Sequence, residues 1–196
     1  MSPLIGVLAL QGDFEEHIAS LRRLGADTRE VRTEAQLASV DSLIMPGGES
    51  TSMAKLMDIY GLREPLRAFA RSGKPVWGTC AGLILLAARL LEHRPEPLGI
   101  MDIVVQRNGF GRQVDSFETE IDVVGVDGGL YHALFIRAPK ILEVGSSVEV
   151  LASLDDGIIV AARERNLLVT AFHPELTIDD RLHGFFLTMA PEVAAR

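Results

Sequence analysis

The chain holds one cysteine, Cys80, in Gly78-Thr79-Cys80-Ala81-Gly82, directly after the apolar run Pro75-Val76-Trp77. An apolar run of strand type, then Gly-x-nucleophile-x-Gly, then a helical stretch from Leu83 to Leu91 is the sequence form of a nucleophile elbow. The turn is too sharp for side chains at its flanks, so glycines bracket it and push the reactive atom into the open. Far down the chain comes Ala171-Phe172-His173-Pro174-Glu175. A thiol, an imidazole and a carboxylate are the three parts of an activated cysteine nucleophile. Taken alone, a lone cysteine is more often a small buried apolar residue. The glycine bracket and the place between strand and helix N-terminus argue for chemistry, because the helix dipole and free amide N–H groups there favour the thiolate. Those amides, that of Ala81 included, are also suited to stabilise an oxyanion.

His173 and Glu175 are two residues apart at what reads as a strand end, so both side chains are expected on one face. Pro174 biases His173 towards extended geometry. A carboxylate beside the imidazole would hold its tautomer and stabilise the imidazolium. On its own the segment would be a strand-end turn with an exposed Glu; paired with the elbow, it reads as functional. Pro46-Gly47-Gly48-Glu49-Ser50 offers consecutive glycines after another strand, with backbone donors free to face a ligand. In isolation it is equally a β-turn opened by proline. No Gly-Lys-Ser/Thr follows, so it is not a phosphate-binding P-loop. His17, His93, His132 and His183 show no metal-ligand spacing, and no second thiol is available for a zinc site. Each reads as a surface or structural residue, and no metal is expected.

These residues need elements to position them. Leu4 to Leu10 is a continuous apolar run, the pattern of a strand buried on both faces. Gln11-Gly12 turns the chain, and Asp13 with Glu16 makes a capping-box-like start to a helix through Leu24, closed by Gly25. Strands are expected over Ala26 to Arg32 and Ser42 to Met45, with helices over Thr51 to Ile59 and Glu64 to Arg71. Strand and helix alternating at short spacing imply parallel βαβ units, whose chemistry gathers at the carboxyl ends of the strands. Gln11-Gly12, Pro46 to Ser50 and Cys80 all follow strands and should converge on one edge. The second half is β-type: Ile103 to Gln106, Phe117 to Val126, Ala133 to Arg137, Val148 to Ala152, Ile158 to Arg163 and Leu167 to Phe172. Asp155-Asp156-Gly157 is a hairpin signal, and Asp179 to Met189 looks like a closing helix. With no repeat or linker, residues 1–196 are expected to form a single domain.

Bulk composition narrows the function classes. The chain has 196 residues, 47% hydrophobic and 23% charged, with net charge −8. That acidity and the lack of a Lys/Arg cluster argue against binding nucleic acid or an anionic membrane. One cysteine makes no internal disulfide, which fits a reducing cytosol. Met1-Ser2-Pro3-Leu4 lacks a basic n-region, and the apolar stretch Val76 to Ala88 is too short and too interrupted for a membrane span. A cytoplasmic location is expected.

Elbow cysteine, His-Pro-Glu and Pro-Gly-Gly loop together resemble the class I glutamine amidotransferases. The resemblance narrows to the glutaminase subunit of pyridoxal 5'-phosphate synthase. It is carried by Leu10-Gln11-Gly12-Asp13 with Glu16-His17, Pro46 to Thr51, Gly78 to Leu83, Arg107-Asn108-Gly109-Phe110-Gly111-Arg112-Gln113, Phe135-Ile136-Arg137-Ala138-Pro139 and Phe172 to Leu176. The Cys and His-Pro-Glu elements mark the superfamily; the Arg107 and Phe135 blocks mark this branch.

The resemblance implies a flavodoxin-like, three-layer α/β fold, with a mostly parallel central sheet, helices on both faces and an added β-rich region in the second half. It implies a catalytic triad of Cys80, His173 and Glu175 that hydrolyses L-glutamine to L-glutamate and ammonia through a glutamyl thioester. By motif, Gly48, Glu49, Ser50, Arg107, Ile136 and Arg137 would bind glutamine, and backbone N–H groups of Gly48 and Ala81 would hold the oxyanion. Arg107 and Arg137 both suit the α-carboxylate. No cofactor is implied. The implied partner is a (β/α)₈-barrel synthase subunit that receives the ammonia and whose docking orders the loop around Gly47 and Gly48, with Gln11 and Gly12 at the interface. Rival readings are the glutaminase subunit of imidazole glycerol phosphate synthase, a non-catalytic regulatory relic of the fold, and a cysteine peptidase or stress protein of related architecture. The Arg107 and Phe135 blocks and the intact triad speak against them.

Overall fold

The computed structural model describes residues 3–110 and 116–190. Gly111, Arg112 and Gln113 of the Arg107 block lie outside the described residues, as does the chain after Ala190. Strands and helices alternate through the first half: β1 (Leu4–Leu8), α1 (Phe14–Arg23), β2 (Asp27–Val31), α2 (Glu34–Ala38), β3 (Ser42–Met45), α3 (Ser50–Ile59), α4 (Arg63–Arg71), β4 (Val76–Thr79) and α5 (Ala81–Leu86). The second half adds β5 (Ala87–Leu90), β6 (Met101–Gln106), β7 (Ser116–Ile121), β8 (Tyr131–Ile136), β9 (Lys140–Val144), β10 (Glu149–Ser153), β11 (Ile159–Glu164), β12 (Leu167–Thr170) and α6 (Arg181–Met189).

The main sheet runs β2-β1-β3-β4-β12-β11-β9-β6-β5, with β10 on β11. From β2 to β12 every pairing is parallel; β11 and β9 then join antiparallel, as does β6 on β9. Every residue of β3, β4 and β12 is buried, as strands covered on both faces must be. Their mostly apolar character follows from that position, with Ser42, Thr79 and Thr170 as buried polar exceptions. β7 and β8 form a separate two-stranded antiparallel ribbon. Its inner face carries Phe117 stacked on Phe135, with ring centroids 4.5 Å apart. The Asp155-Asp156-Gly157 hairpin signal is realised between β10 and β11, Gly157 taking a φ of 83°. No helix among the described residues is long and apolar enough to cross a membrane.

Several expectations need correction. The helix after Cys80 ends at Leu86, and Ala87–Leu90 turns into β5, where a helix to Leu91 was expected. The apolar stretch suits either state, and pairing with β6 decides it. β1 stops at Leu8, and β7 at Ile121 rather than Val126. The last central strand stops at Thr170, so His173 and Glu175 do not share a strand face. Pro174–Leu176 is instead a single 3₁₀ turn, which folds Glu175 back onto His173. The polar helix α2 and the strands β5 and β9 have no counterpart in the sequence reading.

Candidate active site

β4 delivers Cys80 to the carboxyl edge of the sheet, and its pairing with β12 extends one step further: the Cys80 N–H donates to the Thr170 carbonyl at 2.9 Å. Cys80 takes φ 45° and ψ −96°, a conformation L-residues rarely adopt. The two bracketing glycines explain how the chain tolerates the turn. A Cβ on Gly78 would lie 2.6 Å from the Gly82 carbonyl carbon, and one on Gly82 would lie 2.1 Å from the Met45 oxygen. No side chain caps the first turn of α5. With only six residues, α5 acts on the thiol through its nearby amides more than through a long macrodipole.

β12 and the 3₁₀ turn bring the other two members. His173 Nδ1 and Glu175 Oε1 are 2.7 Å apart, and both residues are buried. The His173 N–H donates to the Leu134 carbonyl at 2.8 Å, tying this segment to the β7–β8 ribbon. Burial opposes charge on His173, but hydrogen bonds with Asp13, Cys80 and Glu175 outweigh it and push its pKa up to about 12. Burial raises the Glu175 pKa, partly offset by His173. An imidazole poised to hold a proton between a thiol and a carboxylate is what an activated cysteine requires.

Asp13 is where the sequence reading missed a member of the cluster. Its carboxylate makes no cap with α1; Oδ2 lies 3.5 Å from His173 Nδ1. The signal was its place just after the first strand, on the edge where Cys80 and Pro46 to Ser50 were expected to converge. Asp13, His173 and Glu175 each bring a possible metal-ligand atom within 4.8 Å of the others. At 2.7 Å, Nδ1 and Oε1 are hydrogen-bonded to each other.

One cavity gathers Gly48, Glu49, Ser50, Cys80, Ile84, Arg107, Asn108, Ile136 and Arg137. All six residues expected at the glutamine site therefore line the same space as the thiol. Ala81 is buried directly after Cys80, at the start of α5. Glu49 spends its carboxylate on the N-terminus of α3, accepting from the Thr51 N–H at 3.0 Å and the Ser52 N–H at 2.6 Å. Burial works against the charged form, but those backbone donors hold the Glu49 pKa below the ordinary value. Arg107 Nη1 donates to the Arg94 carbonyl at 2.8 Å, and Nη2 lies 3.4 Å from Glu49 Oε1. Ile84 and Asn108 are lining residues that the motifs did not single out.

The Gly47–Gly48 loop is wedged between two neighbours. A Cβ on Gly47 would meet the His173 ring at 2.5 Å, and Gly48, at φ 143°, lies against the Gln11 side chain. Gln11 Oε1 accepts from the Glu49 N–H at 3.0 Å. The remaining histidines divide. His132 is exposed and bridges Glu118 and Glu120, whereas His17 and His183 are fully buried.

The profile of the SNO glutamine amidotransferase family matches residues 7–192. A protein of Acidothermus cellulolyticus named pyridoxal 5'-phosphate synthase subunit PdxT is 55% identical over 193 residues, covering 95% of this chain and 93% of its own. A protein of the same name from Herpetosiphon aurantiacus is 56% identical, covering 93% of this chain and 98% of its own. A crystal structure described as a glutamine amidotransferase superposes with a TM-score of 0.89 at 46% identity, covering 94% of this chain and 97% of that one.

Proposed function

The chain belongs to the SNO glutamine amidotransferase family, and from that premise we propose that Cys80, His173 and Glu175 hydrolyse L-glutamine to supply ammonia for pyridoxal 5'-phosphate synthesis. Like the relatives named pyridoxal 5'-phosphate synthase subunits, it serves the synthase, here as its glutaminase. The observation that carries the triad assignment is the 2.7 Å contact between His173 Nδ1 and Glu175 Oε1, beside a cysteine held at positive φ in the same cavity as the glutamine-site motifs.

Cys80 Sγ attacks the side-chain amide carbon of glutamine while His173 takes the thiol proton. The oxyanion rests on backbone N–H groups of Gly48 and Ala81. Collapse of the tetrahedral intermediate breaks the C–N bond, and His173 returns its proton to the departing ammonia. Water, deprotonated by His173, then cleaves the glutamyl thioester, releasing glutamate and restoring the thiol. Glu175 keeps His173 in the right tautomer and stabilises its imidazolium. Gly48, Glu49, Ser50, Arg107, Ile136 and Arg137 bind glutamine.

The proposed partner is a (β/α)₈-barrel synthase subunit that takes up the ammonia, docking on the edge that carries Gln11, Gly12, Gly47 and Gly48. Docking on this edge would order the Gly47–Gly48 loop, whose glycines let a peptide plane turn at little steric cost. The reading takes residues 1–196 as one glutaminase domain, since residues from Ile5 to Phe186 share one core. The test is glutamate release from glutamine with and without the barrel subunit. A large rise on adding the subunit supports the reading; equal rates with and without it contradict docking control, and no release in either condition contradicts the glutaminase.

A further inference from the structure

Below the His173–Glu175 pair lies a second pair of imidazoles. His17, from α1, and His183, from α6, are both fully buried, with His17 Nδ1 2.9 Å from His183 Nε2. The other ring nitrogen, His17 Nε2, lies 3.1 Å from Thr79 Oγ1 and 3.4 Å from Glu175 Oε2. Trp77 packs edge-on against both rings, with centroids 5.7 and 5.0 Å away, which ties the pair to the core. Burial keeps both imidazoles neutral: it lowers His17 well below the usual histidine value and His183 to about 4.

Two neutral rings at 2.9 Å share a single proton, and their surroundings choose its owner. If His17 donated it, His17 Nε2 would aim a lone pair at the Glu175 carboxylate. His183 would then carry its own hydrogen on Nδ1, which is buried and has no partner among the described residues. A buried orphan donor is rarer and costlier than an orphan acceptor. If His183 Nε2–H donates instead, His183 Nδ1 is only a bare lone pair. His17 then carries its hydrogen on Nε2, where it faces the Thr79 hydroxyl oxygen and Glu175 Oε2. That carboxylate oxygen is buried and, among the described residues, otherwise without a hydrogen-bond partner.

We propose that His17, locked by His183 as the Nε2–H tautomer, is a positioning residue of the glutaminase that steadies the free oxygen of Glu175 so that the other stays on His173 Nδ1. The inference rests on the glutaminase reading and adds two residues to it. The 3.4 Å separation is long for a hydrogen bond, and the contact is mainly electrostatic in the resting site. It gains weight as Glu175 takes up its role opposite the imidazolium. Asp13, His173 and the backbone N–H of Glu175 also act on this carboxylate, and His17 Nε2 is the side-chain nitrogen placed against Oε2, at 3.4 Å.

The full-length chain with its synthase subunit gives the test. His17→Leu is expected to lower kcat about tenfold, the rate equivalent of one hydrogen bond to a charged group, with the KM for glutamine near wild type. His17→Gln, whose amide N–H reaches the place of Nε2, should regain most of that loss. A ¹⁵N imidazole spectrum of the wild type should show His17 protonated at Nε2 and bare at Nδ1, and needs no turnover. His17 protonated at Nδ1, or equal kcat for the Leu and Gln variants at matched melting temperature, overturns the proposal. If His17→Leu does not fold, His17→Gln falling to the level of a triad knockout overturns it instead. Absence of glutamate release by the wild type overturns the functional reading beneath it, whereas the other three results overturn this inference alone.

Discussion

Gly12 and Gly47 interlock. A Cβ placed on Gly12, at φ 92°, would lie 1.8 Å from the Gly47 carbonyl oxygen, and the adjacent Asp13 N–H donates to that oxygen at 3.2 Å. The turn after β1 is thereby the brace for the loop after β3, and through Gly47 for the His173 ring. Gly12→Ala is expected to destabilise the fold by about 1–3 kcal/mol through positive-φ strain. Its larger effect should be on turnover, because the only relief is to push Gly47 and Gly48 out of place. Glutamate release should fall at temperatures where the variant is still fully folded by circular dichroism. Wild-type kcat in a folded Gly12→Ala protein would show that the brace does not act on the site.

Strain at the nucleophile has its own signature. With Cys80 at φ 45°, a glycine relieves a backbone penalty that an alanine keeps. Cys80→Gly should be more stable than Cys80→Ala by about 1 kcal/mol, after the glycine's own entropic cost is counted. Thermal melts of the two inactive variants decide it. Cys80→Ala melting at or above Cys80→Gly would mean that the elbow stores no strain.

The buried His183 predicts the direction of acid sensitivity. Its pKa falls to about 4 in the folded protein against 6.5 when unfolded, so between those values only the unfolded chain binds the proton. A depressed base leaves stability intact above pH 6.5 and removes it as pH falls towards 4. The effect amounts to about 3 kcal/mol at most. Urea midpoints for wild type should therefore drop more steeply from pH 7 to pH 4.5 than those of His183→Leu. Parallel slopes for the two proteins would contradict a neutral buried His183.

Arg107, which lines the cavity, is held between the Arg94 carbonyl and Glu49. Its proposed work is to bind glutamine in ground and transition states alike. Arg107→Ala should then raise KM about tenfold or more, with kcat within about threefold of wild type. Steady-state kinetics in the assembled complex separate the two constants. A fall in kcat at unchanged KM would place Arg107 in the chemical step.

Much of the candidate site was legible because its parts are local. Gly78, Cys80 and Gly82 dictate an elbow within five residues, and a continuous apolar run dictates a buried strand. His173 and Glu175 were paired for the wrong reason, since the strand ends at Thr170 and a 3₁₀ turn joins them. Asp13 was read as a helix cap because local propensity favours that use; only the tertiary approach of His173 shows where its carboxylate goes. His17 and His183 sit on the buried faces of α1 and α6 beside Ile18, Leu21, Leu182 and Phe186. Their helical spacing marks them as inward, but 166 residues separate the two rings. That contact depends on how the two helices pack, which no local pattern records. β5 and β9 were missed because short apolar strands are defined by their partners rather than by their own periodicity.

The central claim is that Cys80 carries the glutamyl group. The most direct test is glutamate release by wild type and by Cys80→Ala, both full length and both with the synthase subunit present. The account predicts release by the wild type and only background from the variant, at equal folded content. Comparable release from the two proteins would contradict it and remove Cys80 from the chemistry.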